Sequence, residues 1–556
     1  MEVLRGTLDS QLPLIEKAIE EASFISFDAE FSGLHSNSSL RSHPLDDLQT
    51  RYEKYRKNAQ EFLVVQFGLT CFKWNGLEDE ESFQAKPFNF YVFPTTTTGR
   101  AQLDRVFVSQ SSGLDFLAKH GFDFNKWVYQ GIPYMTVQEE KVYVEKKMRE
   151  LNGNMPDVQV DENCQAFVNE LCQNVDEWLT SGQDNYLNID VSNGYRRRLV
   201  YQEVRNRYGP ELVAEGRQGF IKISKTSNES RTKLKEEKVK LFEHDVQRAI
   251  GFRKIIDLIC KSKKPIVGHN MFLDLCMIYE QFFEPLPERF EDFQKKIHEV
   301  FPSLYDTKHL ASRILGLETS FGDSSLSELI SRVKGPAFTS PNIQIHYEHP
   351  RYWSDSYFHE AGYDAYCTGF VFLKLCGYLV SKNPNYASKI EEKKSKLESN
   401  AEHVYDYEDL PPVDDRNWDY AAGCNIAPGK CSSPPFEIFQ IPDIVKEENR
   451  LHLVKSDIDS FSLEEPNPMC LEKPHVFYVK IAKPIPDNFS PKLLTQQLYK
   501  PYGNVFVYSL QENQYFLTFK NVVGLEEVQK ILNDTSGLKV EMLSYRNYVE
   551  NKADLL

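Results

Sequence analysis

Three things are scarce in this sequence, and each absence excludes a class of protein. Its ten cysteines are scattered through 556 residues with no CxxC pair and no histidine at zinc spacing. That argues against a disulfide frame or a zinc site and for a reducing intracellular compartment. Long apolar runs are missing as well. The longest, around Phe370 to Val380, is interrupted by Lys374 and falls short of the ~18 residues of a membrane span. The opening Met1-Glu2-Val3-Leu4-Arg5-Gly6 begins no signal peptide. Positive charge is also in deficit, with 65 Lys and Arg against 81 Asp and Glu for a net charge of −16. Such a chain does not coat nucleic acid indiscriminately, although local basic patches can still hold a phosphate backbone. What is present is ordinary folded protein, 41% hydrophobic and 13% aromatic, long enough for more than one domain.

One stretch stands out near the start: Phe24-Ile25-Ser26-Phe27-Asp28-Ala29-Glu30-Phe31-Ser32-Gly33-Leu34. Apolar and aromatic residues surround two carboxylates, which predicts a buried strand closed by Gly33. Side chains two apart on a strand share a face, so Asp28 and Glu30 point the same way. Carboxylates held side by side repel and lose solvation unless a cation sits between them. A pair of hard divalent ions resolves that conflict. Taken alone, the stretch is equally an edge strand whose acids face water.

Around it, residues 8–22 read as a helix, and two strand-like segments, Phe62–Leu69 and Phe88–Pro94, read as a hairpin turning through Asn75–Lys86. This opening order suits an α/β nuclease rather than a βαβ cofactor fold. A helix starts near Gln110-Ser111-Ser112-Gly113-Leu114-Asp115-Phe116-Leu117 and stops at Gly121. After an acidic, Asn-rich boundary, residues 164–224 form a compact unit with a basic helix carrying Arg196, Arg197, Arg198, Arg205 and Arg207. That cluster suits either phosphate contact or a solvated amphipathic face. Lys225–Lys240 is a charged connector. The α/β pattern then resumes, with Asp274 on the first turn of a helix from Met271 to Phe283. A long loop, Gly335 to Ser356, delivers His359 and then a helix bearing Asp364; long loops in compact domains are often functional. Ser381 to about Glu448 reads as loosely ordered. The last segment has β-α-β-β-α-β order, with Tyr478 and Phe516 able to stand on its sheet and Gln514 where another aromatic is expected.

Asp274 alone is an ordinary helix-start acid, and His359 alone an ordinary capping histidine. In joint order with Asp28, Glu30 and Asp364 they are far more specific. On these residues the chain resembles the poly(A)-specific ribonuclease family, in the His-bearing branch of the DEDD 3′→5′ exonucleases. The matching strings are Asp28-Ala29-Glu30-Phe31-Ser32-Gly33, Phe88-Asn89-Phe90-Tyr91-Val92-Phe93-Pro94, Gly131-Ile132-Pro133-Tyr134, Gly268-His269-Asn270-Met271 with Asp274, Asp306-Thr307-Lys308, and His359-Glu360-Ala361-Gly362-Tyr363-Asp364-Ala365-Tyr366. They run from near residue 1 to about 380.

The resemblance implies an α/β fold: a ribonuclease H-like core of mixed sheet with flanking helices. It adds an inserted small α/β nucleic-acid-binding domain and a C-terminal RNA-recognition domain of ferredoxin fold. The boundaries are 1–157 and 241–400 for the nuclease, 158–240 for the insertion with its connector, 401–472 for a linker, and 473–548 for the last domain. Asp28, Glu30, Asp274 and Asp364 are implied to bind two Mg²⁺, one activating a water and the other stabilising the leaving 3′ oxygen. His359 is the implied general base, or orients that water. Phe31, Leu34, Asn270 and Lys308 fall where the family holds terminal nucleotides and phosphate, and Leu114 and Phe116 form another substrate-lining pair. The family also implies a homodimer through the nuclease domain.

The chain departs from the pattern twice. Arg197 is followed four residues on by Tyr201 in place of the histidine of an Arg-x-x-x-His motif. After Gly503-Asn504-Val505-Phe506-Val507 stand Tyr508 and Ser509, with no tryptophan for a 5′ cap; Tyr508 is the residue there that could substitute, and cap binding stays open. The expected function is a Mg²⁺-dependent 3′→5′ exoribonuclease on single-stranded RNA 3′ ends, poly(A) foremost, releasing 5′-AMP. A 3′ trimmer of small RNA precursors, such as PIWI-interacting RNA precursors, would use the same acids. A non-catalytic RNA-binding scaffold requires a missing acid, and none is missing. Ending at Asp554-Leu555-Leu556 with no anchor, the chain is expected in cytoplasm, nucleus or both, neither secreted nor anchored to a membrane.

Overall fold

The computed structural model describes residues 1–43, 45–75, 82–95, 104–151, 156–181, 185–191, 193–315, 324–353, 357–383, 438–454, 456, 460–466, 473–482, 489–503, 505–511, 513–519, 521–536 and 539–551. Half of the expected hairpin turn (76–81) and most of the segment expected to be loose (384–437) lie outside them, while Ser82–Lys86, expected in the turn, is strand. The chain divides into two compact units, Met1–Glu464 and Glu465–Leu556.

The first unit is a mixed α/β fold around one sheet. Strands β1 (Glu2–Val3), β2 (Phe24–Phe31), β3 (Val64–Trp74), β4 (Ser82–Tyr91), β8 (Ile266–Gly268), β9 (Leu304–Asp306) and β10 (Asn342–Ile345) take part. Their order is β1-β4-β3-β2-β8-β9, with β10 also on β4. β2, β3 and β4 run antiparallel, while β8 and β9 continue parallel to β2. Both faces of β2 are covered, which is why its sequence is so apolar. Ile25, Phe27 and Ala29 enter one core cluster, and Phe24 enters the other. Phe24 stacks on Phe72 at 4.8 Å and meets Phe372 edge-on at 5.3 Å. Truncating it to alanine removes roughly 3–5 kcal/mol. By alternation, Asp28 and Glu30 share the face of Phe24 and Ser26.

That face is crossed by the helix Ala361–Lys382. The sheet itself satisfies the orphan donors at the helix start: Gln66 Oε1 accepts from Ala361 N at 2.9 Å, and Asn89 Oδ1 from Gly362 N at 3.0 Å. Ser26 Oγ donates to the Ala365 carbonyl at 2.6 Å. Gly68, paired with Asp28 across β2 and β3, makes the crossing feasible. A Cβ there would stand 1.8 Å from the Ala361 carbonyl oxygen.

Between β4 and β8 lies a smaller antiparallel sheet of β5 (Tyr186–Asp190), β7 (Phe220–Lys225) and β6 (Leu212–Gly216), in that spatial order. It has its own core, with Val175, Trp178, Val200, Ile221 and Ile223 buried. The arginines of its helix Gly194–Tyr208 are largely engaged by the chain itself. Arg197 donates to the carbonyls of Val191, Phe220 and Arg217 at 3.2, 3.4 and 3.2 Å. Arg198 donates to the Pro156 carbonyl at 3.0 Å, Arg205 pairs with Asp157, and Arg207 pairs with Glu203 at 2.8 Å. Arg196 lies over the Phe167 ring at 5.0 Å. The helix Asn228–Ile250 returns to the main sheet. Its Lys235 and Lys238, with Arg197, Arg198 and Arg205, line a cavity of about 870 Å³.

The described residues between 438 and 464 are ordered where a linker is expected. Two short antiparallel strands, β11 (Arg450–His452) and β12 (Ser460–Ser462), form within them. The segment packs on the rest of the first unit because its spaced apolar residues find slots. Ile438, Ile441 and Ile444 enter one core cluster; Leu451, Leu453, Phe461 and Leu463 enter the other. Polar pins reinforce the strap: His309 Nε2 meets Glu447 at 2.6 Å, and Arg51 donates to the Val454 carbonyl at 2.8 Å.

The second unit is an antiparallel sheet of β13 (Val476–Ile481), β14 (Val505–Gln511), β15 (Gln514–Phe519) and β16 (Val540–Ser544), ordered β14-β15-β13-β16. Two helices, Pro491–Tyr502 and Leu525–Ser536, supply Leu494, Leu498, Val528 and Leu532 to its core. The other face, on which Tyr478 and Phe516 stand, is covered. A final helix, Tyr545–Glu550, brings Tyr548 onto Tyr478 at 4.7 Å and against Phe516 at 5.0 Å. Tyr478 and Phe516 are therefore only 1% and 4% exposed, whereas Phe506 on β14 is 58% exposed.

Candidate active site

Three elements converge on one pocket in the first unit. β2 supplies Asp28 and Glu30, and the first turn of the crossing helix supplies Asp364. Asp274 comes from the first turn of the helix Phe272–Phe282, which follows β8 and a tight turn. Burial pushes all four carboxyls up. Repulsion adds to it: Asp28 feels Asp364, Asp274 and Glu30, while Glu30 feels Asp364 and Asp274. Asp28 and Glu30 are held well above the usual carboxylate range, and Asp274 and Asp364 are pushed up to about 7. An oxygen of Glu30, an oxygen of Asp364 and a ring nitrogen of His359 lie within 4.8 Å of one another. Asp364 Oδ2 accepts from the His359 backbone at 3.0 Å, while its Oδ1 is buried without a hydrogen-bond partner. An orphaned buried carboxylate oxygen among three further acids fits a divalent cation.

His359 sits just before the crossing helix with a left-handed backbone, φ +67°. Strain of this kind persists only where the surroundings over-determine it. Its ring meets Phe116 at 4.6 Å and His120 at 4.3 Å. Burial, and then the charge of His120, lowers its pKa, which favours the neutral imidazole a general base requires.

The remaining expected residues fall into two groups. At the end of β2, Phe31 packs against the core and Leu34 is 52% exposed. Gln110, which precedes the helix Ser111–Lys119, accepts from Leu34 N at 3.0 Å and donates its own N–H to the Ser32 carbonyl at 2.8 Å. That lacing holds the helix of Leu114 and Phe116 against the end of β2, where the 41% exposed Phe116 reaches the His359 ring. In the second group Asn270, again left-handed at φ +57°, and Lys308 are tied together by Asp306. Fully buried Asp306 accepts from Asn270 N and Lys308 N at 2.9 Å through Oδ1, and from His452 N at 3.0 Å through Oδ2. The Lys308 ammonium donates to the Ser324 carbonyl at 3.1 Å.

Sequence reasoning assigns no role to His120 or Asp306. Asp306 stands inside a matched string. The signal for His120 is weaker: a ring four residues after Phe116, directly before the stop at Gly121.

The family profile described as CAF1 family ribonuclease matches residues 3–372. The chain therefore belongs to the CAF1 ribonuclease family. Among individual relatives, it is 35% identical over 403 residues to the poly(A)-specific ribonuclease PARN of Xenopus laevis, covering 68% of this chain and 63% of that protein. The Homo sapiens counterpart is 34% identical, with 68% and 62% covered. The pre-piRNA 3′-exonuclease trimmer of Bombyx mori is 31% identical over 397 residues, with 69% and 72% covered. The chain thus spans less than two thirds of the length of the vertebrate relatives. Among the described residues no helix is long and apolar enough to cross a membrane.

Proposed function

We propose that the chain is a Mg²⁺-dependent 3′→5′ exoribonuclease that shortens RNA 3′ ends, poly(A) tails foremost, and releases 5′-AMP. The observation that carries this reading is the convergence of Asp28, Glu30, Asp274 and Asp364 with no cationic side chain of the described residues paired to any of them. Those four would hold two Mg²⁺, which supply Lewis-acid stabilisation and a more acidic water when bound. His359, kept neutral, takes the proton of the attacking water at a ring nitrogen. Its backbone bond to Asp364 Oδ2 ties the position of the base to that of the carboxylates. Leu34 and Phe116 offer exposed apolar surface for unstacked bases, and Lys308 and Asn270, fixed by Asp306, serve the phosphate. On the same reading, the small sheet of residues 186–225 adds RNA contacts and two copies pair through the nuclease domain. The last unit has an RNA-recognition-like fold whose two central rings are covered by its own final helix.

A second reading, a 3′ trimmer of small RNA precursors, is favoured by the match that covers 72% of the silk-moth trimmer. The test uses purified chain with Mg²⁺ on two 5′-labelled single-stranded RNAs ending in A or in U, beside Asp28→Ala. Stepwise loss of the A tail alone, abolished by the substitution, is the expected result. Equal shortening of both tails would favour the trimmer. No metal-dependent shortening by a folded, RNA-binding chain would overturn both in favour of a scaffold.

A further inference from the structure

We propose that His120 is a positioning residue for His359; the proposal rests on the nuclease reading above. A histidine that must present one nitrogen to a water needs its ring plane fixed. A hydrogen bond from the other nitrogen to a carboxylate or carbonyl commonly does this. Among the described residues the His359 side chain has no such bond; its only hydrogen bond is the backbone one to Asp364. Its left-handed backbone is fixed through the N–H bond to Asp364, which places the residue but leaves the ring torsion to its neighbours. Two neighbouring rings hold it instead. Phe116 lies 4.6 Å away at an interplanar angle of 70°, and His120 lies 4.3 Å away at 66°.

His120 is itself well anchored. It caps the helix Ser111–Lys119, and its backbone N–H reaches the carbonyls of Phe116 and Leu117. Its Nδ1 bonds the Phe116 carbonyl at 2.8 Å, and its ring lies 4.4 Å from that of Phe116. Gly121, at φ +82°, then turns the chain away, a conformation that glycine adopts without penalty. Phe116 and His120 thus form a two-ring wall on the end of a helix that is laced to β2 through Gln110. Without His120, half of the wall is missing and the imidazole can swing.

The test compares wild type, His120→Ala, His120→Phe and His359→Ala on an A-tailed single-stranded RNA. Misplacing a catalytic group, or losing the partner that orients it, lowers turnover about 10- to 100-fold. His120→Ala should therefore lower kcat by that factor with KM little changed, at an unaltered melting temperature. His120→Phe keeps a ring in place and should recover most of the loss. A wild-type kcat in His120→Ala would overturn the proposal, as would a change confined to KM or a failure of His120→Phe to rescue. The ring resonances of His359 give a readout that needs no turnover. In His120→Ala they should shift or broaden and in His120→Phe stay near wild type; unchanged resonances in His120→Ala would overturn the proposal. If wild type shortens no RNA, the nuclease reading fails, and these resonances still decide whether His120 orients the imidazole.

Discussion

The basic helix Gly194–Tyr208 and the acidic pocket of the main sheet are two groups of like charge that the fold handles differently. The structure treats them in opposite ways. Arg197, Arg198, Arg205 and Arg207 each find a carbonyl or carboxylate of the chain itself, and Arg196 finds an aromatic ring. The four carboxyls find no cation among the described residues, and Asp364 keeps one oxygen buried and unpartnered. A cluster answered internally contributes to folding; one left unanswered waits for something from outside. Count and sign of charge do not separate the two. Partnering does.

Four measurements put that contrast at risk. The largest effect belongs to the acids. On the proposed nuclease reading, Asp28→Ala should lower the rate of RNA shortening by at least about 10³-fold, the loss expected when several kcal/mol of stabilisation by bound metal is removed. Next comes stability in the absence of metal. Asp274 and Asp364 are pushed up to about 7 from an ordinary value of 3.8. Between those values the folded state holds more protons than the unfolded one, so the metal-free chain loses stability as pH rises through that window. Melting temperatures under chelator should fall from about pH 5 to about pH 8, and Mg²⁺ should offset more of the fall at the upper end. A rise under chelator would contradict the idea of uncompensated acids. Third, Arg197→Ala should destabilise by roughly 1–3 kcal/mol in denaturant unfolding, since three carbonyls lose their donor. The smallest effect is reserved for the lysines. Lys235 and Lys238 line the same cavity and have no ion-pair partner among the described residues. Replacing both with alanine should weaken single-strand binding and reduce its salt slope by about 1–2, with turnover at saturating RNA unchanged. If Arg207→Ala weakened binding more than the lysine pair, internal pairing would not be what keeps the arginines from RNA.

Local pattern accounts for what is legible in the sequence. The alternation around Asp28 and Glu30 marks both a strand and the shared face of its acids, since burial on one side forces period two. Asp274 and Asp364 stand out because each opens an apolar helix. Distance along the chain hides the rest. His120 meets His359 only through the tertiary fold, 239 residues apart in the sequence. The strap at 438–464 is hard to see because its strands are three residues long, Arg450–His452 and Ser460–Ser462, and its apolar residues are spaced among charges. On the last sheet, Tyr478 and Phe516 face one way, as the pattern of their strands implies. Nothing in those strands announces that Tyr545 and Tyr548, three apart on a short helix, close over them.

Gly68 turns out to be a handle on the whole site. Its missing side chain is the clearance that lets the helix bearing Asp364 rest against β3, and the atoms a Cβ would meet are backbone, at 1.8 and 2.1 Å. A single added methyl therefore has no soft neighbour to displace. It must lift the helix, carrying His359 and Asp364 away from Asp28 and Glu30 while leaving every chemical group intact. Gly68→Ala would be a gauge of tolerance: it asks how wide the gap between two halves of a site can grow before the halves stop acting together.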